Sequence, residues 1–196
     1  MSDLAARSRI TDSGCFFFLC DMQEMAQPFI RRFADIAEVA QKMVSVARIL
    51  NIPVLASEHK GFGHTVDNID ISRAKVISKT SFSMLTKEVE EELNKNPTRN
   101  SVVLFGIMTE CCIQQTTLDL LQRGYNVHVV VDGCSSRSQL DHTVVIEHLR
   151  TAGAFITTST NILFELVRDT KHKKYNEIQK LMITPSKNTT NITSKL

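Results

Sequence analysis

The 196-residue sequence predicts an α/β fold, a three-layer α/β/α sandwich on a parallel, doubly wound sheet of about six strands. Three observations predict it. Short, continuous apolar runs recur along the chain, amphipathic segments of about a dozen residues alternate with them, and Gly, Asn or Pro stands at several junctions. With 42% hydrophobic and 22% charged residues, the chain has enough apolar mass for one well-buried core and too little length for two full domains.

Residues 15 to 20 (CFFFLC) form an uninterrupted apolar run ending at Asp21, the pattern of a strand buried on both faces. Phe33, Ile36, Ala37, Ala40, Met43, Val44, Ala47 and Leu50 then follow helical spacing. Asn51 and Pro53 stop that helix, and Val54 to Ala56 begins the next strand. Residues 58 to 73 carry two glycines and no periodicity and read as a loop, followed by a brief strand near Lys75 to Ile77. Thr86 is placed to cap an acidic helix that runs to Asn94.

Val102 to Phe105 is the next strand, Gly106 its break, and Glu110 to Arg123 a helix closed by Gly124. Val127 to Val131 and Ser138 to Thr151 repeat the strand and helix patterns, Gly153 ends the helix, and Ala154 to Thr157 is a last short strand. Residues 160 to 182 read as one or two closing helices. The predicted organisation is an N-terminal extension over 1–13, one domain over 14–182, and a polar, aperiodic tail over 183–196 that is expected to be flexible.

Charge and cysteine usage narrow the function. Lys and Arg total 23 against 21 acidic residues, so a formal charge of +2 supplies no broad field for a polyanion, and nucleic acid is not an expected partner. No apolar run is long enough to span a bilayer, and residues 1 to 13 lack the apolar core of a signal peptide, which predicts a soluble protein that is not secreted. The five cysteines, at 15, 20, 111, 112 and 134, form an odd set without a C-x-x-C pair, so no disulfide framework is expected. Adjacent Cys111 and Cys112 are also too close in sequence for the usual structural zinc spacing.

In a doubly wound sheet, ligands bind beyond the carboxyl ends of the strands, where the strand order reverses. Asp21 follows the first predicted strand, Lys79 the third, and Cys112 comes just after the fourth, at the opening of a helix. With strand order 3-2-1-4-5-6 the switch point falls between Asp21 and Cys112. A free thiol is only a few per cent thiolate at neutral pH, and a helix N-terminus, a nearby ammonium and an adjacent base each activate it. Cys112 has the first, with Lys79 and Asp21 as candidates for the others. Singly, these residues read as a buried thiol, a surface lysine and a turn residue; their convergence favours catalysis. Asp132, Ser135 and Arg137 lie on the following strand-end loop, where they either cap or line a pocket. His59 and His64 are placed at a pocket rim or on the surface.

The segments FLCDMQ (18–23), SKTSFSM (78–84) and GIMTECCIQQTTLDLLQRGYNVHVVVDGCSSRS (106–138) together resemble the isochorismatase-like hydrolases, in particular the isochorismatase-domain branch, over residues 14 to 182. The resemblance implies a catalytic triad of Asp21, Lys79 and Cys112, with no role for Cys111. It also implies a non-proline cis peptide at Ile107–Met108 and an oxyanion hole made by the backbone amides of Met108 and Cys112.

Relatives that hydrolyse nicotinamide hold a metal with an Asp and two His after the second strand. Here Glu58 stands at the Asp position and Lys60 at a His position, near His59 and His64, so neither a metal nor another cofactor is expected. Relatives that cleave the enol ether of isochorismate need no cysteine, so Cys112 favours covalent hydrolysis of a small amide-like C–N bond through a thioester. The alternatives are a catalytically silent scaffold of the same fold and an RNA-associated role, since some relatives in parasitic protozoa carry a ribonuclease label. The family also implies a homo-oligomer. Ser194, Lys195 and Leu196 spell the peroxisomal address S-K-L, which predicts a peroxisomal import receptor as partner and a peroxisomal or glycosomal location.

Overall fold

The computed structural model describes residues 2–183; Ser194, Lys195 and Leu196, with the rest of the tail from 184, lie outside the described residues. β1 (Cys15–Cys20) is central in a six-stranded parallel sheet. β2 (Val54–His59) and β3 (Lys75–Lys79) flank it on one side, and β4 (Ser101–Ile107), β5 (Asn126–Ser135) and β6 (Phe155–Thr157) on the other. The order β3-β2-β1-β4-β5-β6 is the predicted one. Every residue of β1 and β4 is buried, as a continuous apolar run requires of a strand covered on both faces. Phe17 and Phe105 meet edge to face across the β1–β4 pair, with ring centroids 6.0 Å apart.

Helices fill both outer layers. α2 (Phe33–Leu50) packs on β1, β4 and β5 and meets α6 (Ser159–Val167) and α7 (Tyr175–Ile183). α4 (Gln114–Gln122) and α5 (Gln139–Ala152) pack on β5 and on each other, and Arg123 joins α4 to Glu90 of α3 (Lys87–Asn94). The predicted stops act as expected. Asn51 takes left-handed backbone at φ 55° and bonds back to Ala47 O, while Gly153 does the same work after α5 at φ 106°. Among the described residues, no helix is long and apolar enough to cross a membrane.

The N-terminal extension packs against the domain: Arg7 Nε, at the end of α1 (Ser2–Arg7), donates to Asn126 Oδ1 at 3.0 Å and Ile10 is 1% exposed. Three features depart from the sequence reading. β2 and β3 run further than predicted, because the register that starts at Leu55 with Lys75 continues until His59 pairs with Lys79. Glu58 and His59 are therefore strand residues. In place of a regular helix from Glu110, a wide π-type turn spans Thr109–Ile113, with Ile113 N donating to Met108 O at 3.1 Å. Finally, β5 advances five positions, from Val129 to Cys134, where β4 advances two, from Leu104 to Gly106.

Gly106 fixes how closely β1 and β4 approach. Its φ is +122°, and a Cβ there would lie 2.1 Å from Cys20 O, so no other residue fits. That close approach draws the carboxyl ends of β1 and β4 together, and Asp21 and Cys112 with them.

Candidate active site

Strand register dictates which side chains meet. Cys20 pairs with Ser57 on one side and Gly106 on the other, so Asp21 emerges beside Ser57, and the His59–Lys79 pairing brings Lys79 to the same edge. Asp21 itself adopts left-handed backbone, φ 49°, a conformation that Asp tolerates better than most residues and that turns the chain as it leaves the strand. The π-type turn after β4 then carries Cys112 to this junction.

The structure brings Asp21, Lys79 and Cys112 together. Lys79 Nζ lies 2.6 Å from Asp21 Oδ2 and 3.5 Å from Cys112 Sγ, and it also donates to the carbonyls of Ser81 and Phe82 at 3.1 Å each. Ser57 Oγ donates to Asp21 Oδ1 at 2.6 Å, so both carboxylate oxygens are held. Thr116 Oγ1 donates to Cys112 O at 2.6 Å and accepts from Met84 N at 2.9 Å, which ties the turn to the segment after β3. The Lys79 side chain is fully out of solvent and that of Asp21 is 8% exposed, so the charges interact with little screening. The Ile107–Met108 peptide is cis.

Cys20 is the residue the sequence reading missed. Its Sγ, a carboxylate oxygen of Asp21 and Cys112 Sγ lie within 4.8 Å of one another. The Cys20 thiol, fully buried, is pushed well up by desolvation and stays protonated. Hydrogen bonding from that thiol, aided by the Lys79 charge, draws Cys112 down against burial and the Asp21 charge. Burial works to lower Lys79, but the surrounding anionic groups raise it on balance, so it remains an ammonium.

A cavity of about 120 Å³ opens over Cys112, with Asp21, Gln23, His59, Met108 and Cys111 among its walls. Cys111 therefore shares the cavity, because the widened turn does not rotate successive side chains as an α-helix would. It is no rival nucleophile: burial first, then the neighbouring Cys112, push its pKa to about 12.

The predicted pocket residues divide. His59 lines the cavity. Glu58 does not; it accepts from Thr65 N at 2.7 Å, Thr65 Oγ1 at 3.0 Å and His64 Nδ1 at 3.4 Å. Burial pushes Glu58 up, and those bonds more than offset it, so its pKa falls.

Asp132, Ser135 and Arg137 are corrected: none of them lines this cavity. Asp132 caps α6, accepting from Ser159 N at 2.7 Å and Ser159 Oγ at 2.6 Å, and Ser135 Oγ donates to Arg31 O at 2.6 Å. The irregular course of β5 directs these two toward a separate hollow of about 200 Å³ beside His142, and Arg137, exposed two residues beyond β5, lines neither hollow.

Cys20, Asp21 and Cys112 would make a plausible soft-metal donor set. The ammonium of Lys79 already occupies their junction, bonded to Asp21 and touching Cys112, and a divalent cation would meet that charge directly. The residues do not fit a metal with Lys79 in place.

The isochorismatase domain family matches residues 15–161. The chain belongs to that family. It is 46% identical over 188 residues to isochorismatase domain-containing protein 2 of Xenopus laevis, which covers 95% of this chain and 92% of the relative. Among solved structures, the MAR1 ribonuclease of Caenorhabditis elegans superposes with a TM-score of 0.89 at 38% identity, covering 96% of this chain and 100% of that one. The YcaC gene product of Escherichia coli, described as an octameric hydrolase of unknown specificity, superposes at 0.77 with 18% identity over 89% of this chain and 95% of that one, a likeness of fold. The isochorismatase domain thus carries a hydrolase fold here, with Asp, Lys and Cys side by side at the sheet's switch point.

Proposed function

We propose that this isochorismatase-family chain is a cysteine hydrolase that cleaves a small amide or related C–N bond, with Cys112 as nucleophile, Asp21 as base and Lys79 as the activating charge. The observation that carries this reading is the buried Lys79 ammonium, 2.6 Å from the carboxylate and 3.5 Å from the sulfur. The Cys20 hydrogen bond and this charge both lower the Cys112 pKa, which raises the fraction of thiolate, the nucleophilic form.

In this reading Asp21 takes the Cys112 proton and the sulfur forms a bond to the substrate carbonyl carbon, moving the C=O π electrons onto oxygen. The backbone amides of Met108 and Cys112 receive that oxyanion. Collapse restores the carbonyl and breaks the C–N bond, and the leaving nitrogen takes the proton held by Asp21. Asp21 then deprotonates water, whose oxygen adds to the thioester carbon. A second collapse breaks the C–S bond and yields the carboxylic acid, and the expelled Cys112 sulfur takes back the proton held by Asp21, which restores the starting state.

An RNA-cleaving role meets a charge objection. A phosphodiester entering the cavity would face the Asp21 carboxylate and the Cys112 sulfur, while Lys79 is committed to Asp21, Ser81 and Phe82. Self-association belongs to the proposal as the family's common state, and light scattering after gel filtration checks it.

Ammonia release from a panel of small primary amides tests the hydrolase reading. Turnover by the unaltered chain that falls to background in Cys112→Ala is the expected result. Turnover that survives Cys112→Ala refutes it, and a Cys112 no more reactive toward iodoacetamide than Cys134, with no turnover, would leave the scaffold alternative standing.

A further inference from the structure

Two thiols with opposite properties meet at the carboxyl ends of β1 and β4. Cys112 borders the cavity of about 120 Å³ and stands 3.5 Å from the Lys79 ammonium, surroundings that favour a thiolate. Cys20 is 0% exposed and is not among the cavity's walls. Their sulfurs and a carboxylate oxygen of Asp21 all lie within 4.8 Å of one another. Amide hydrolysis needs one sulfur, so the second has no chemical task in it.

A buried thiol beside a reactive one suits a different acceptor, the oxygen of a hydroperoxide. Oxidation of cysteine follows thiolate character and access, and the sulfenic acid that forms condenses with a neighbouring thiol to a disulfide. Cys112 has both properties, and the cavity exceeds the ~30 Å³ share of a water molecule several times over, enough for hydrogen peroxide. Cys111 also reaches the cavity, but a bond from Cys111 to Cys112 would close an eight-membered ring over their shared peptide and force that amide away from planarity. Cys20 belongs to another strand and carries no such constraint. Because it stands outside the cavity, an oxygen that Cys112 receives from the cavity side can depart the same way.

We infer that Cys112 is a peroxide-reactive thiol and Cys20 its resolving partner, so that a hydroperoxide closes a Cys20–Cys112 disulfide and switches the nucleophile off. Asp21 takes the Cys112 proton, and the thiolate attacks one peroxide oxygen. An S–O bond forms, the O–O bond breaks, and the departing oxygen takes the proton from Asp21 and leaves as water. Asp21 then takes the Cys20 proton, the Cys20 sulfur attacks the oxidised sulfur, and the displaced hydroxyl leaves with that proton as a second water. Two thiols and one peroxide thus give one disulfide and two waters, the sulfurs losing the two electrons that the peroxide gains. Burial keeps the resting Cys20 thiol protonated, so it waits for Cys112 to be oxidised first. Dithiothreitol reverses the switch and is itself oxidised to its cyclic disulfide.

The inference needs no amide turnover, because its readout is the state of the sulfurs. The reduced chain, freed of reductant, is treated with hydrogen peroxide, quenched with iodoacetamide and mapped by mass spectrometry without reduction. The Cys112 thiol should be lost at least about tenfold faster than that of Cys134, which burial pushes to a pKa of about 12. The product should be two hydrogens lighter, hold a peptide that joins Cys20 to Cys112 within one chain, and return to the starting mass in dithiothreitol. Cys20→Ala, checked for folding by thermal unfolding, should instead carry Cys112 to a dimedone-reactive sulfenic acid and then to a sulfinic acid that dithiothreitol does not recover. The map of the unaltered chain decides the matter even where that variant does not fold. A Cys111–Cys112 bond, a bond between chains, or a Cys112 sulfinic acid with no disulfide overturns the role of Cys20, and a Cys112 oxidised no faster than Cys134 overturns the whole inference.

Discussion

Replacing Lys79 by Met removes the positive charge at the centre of the site while keeping a side chain of similar length. Lys79 Nζ stands 3.5 Å from Cys112 Sγ, and its side chain is fully out of solvent. With an effective dielectric constant of 20, that separation corresponds to about 5 kcal/mol of attraction for the thiolate, and with bulk water filling the space to about 1 kcal/mol. At about 1.4 kcal/mol per pKa unit, the two limits bracket a rise in the Cys112 pKa of about one to three and a half units. The sign follows from the loss of a cation beside an anion. The rate of iodoacetamide alkylation of Cys112, followed against pH by mass spectrometry, reads the shift directly. Its midpoint should rise by at least about one unit, with about a tenfold slower reaction at pH 7. Breaking a buried pair costs roughly 3–5 kcal/mol of stability, so the assay is run below the variant's unfolding temperature. A midpoint that stays within half a unit, or falls, refutes the assignment of Lys79 as the activating charge.

Other consequences are as specific. Cys111→Ala should retain most amide turnover, because burial keeps the Cys111 pKa at about 12 and its thiol protonated; loss equal to that of Cys112→Ala contradicts this. Burial lowers His128, stacked 4.9 Å from Phe155, to a pKa of about 4. The unfolded chain therefore takes up this proton before the folded one does. The stability from neutral His128 should be complete above about pH 6.5 and fall by roughly 3 kcal/mol toward pH 4. Urea unfolding across that range should lose this component in His128→Phe; an unchanged pH slope rules it out. Gly106→Ala should cost upwards of about 3 kcal/mol, since it combines a positive φ with a Cβ 2.1 Å from Cys20 O. A thermal midpoint within 2 °C or so of the parent would show that the strands do not approach so closely.

What the sequence could say about this molecule was set by how local each signal is. The run CFFFLC and the valine-rich strands are legible because burial on both faces leaves no polar positions, and the stops at Asn51 and Gly153 because each takes left-handed backbone. Asp21, Lys79 and Cys112 could be proposed together because strand order alone decides which strand ends are neighbours. Cys20 was hidden by its own context. As the last residue of an apolar run it looks like core, and only the meeting of three strand ends places its sulfur beside Cys112. Its position immediately before Asp21 was the one available signal.

The remaining misses share a cause, a departure from ideal periodicity. A helical wheel excludes Cys111 from the cavity, but the turn from Thr109 to Ile113 is wider than an α-helix. The register shift in β5 likewise sends Asp132 to cap α6, where strand alternation alone had left capping and pocket lining equally open. His59 was read as rim because residues 58 to 73 have the aperiodic look of a loop; in the structure it ends β2, and the aromatic contacts with Phe62 and Phe82 that enclose it come from the segments after β2 and β3.

The most direct test of the central claim is to trap the acyl-enzyme. The chain is mixed with benzamide or phenyl benzoate, quenched in acid on the approach to steady state, and its intact mass and peptide map are measured. The account predicts one benzoyl group per chain at most, on Cys112, decaying as the substrate is consumed, and absent from Cys112→Ala. A benzoyl group on Cys111 or Cys20, or turnover with no covalent species in a rapid-quench series that extends to the first turnover, would contradict it.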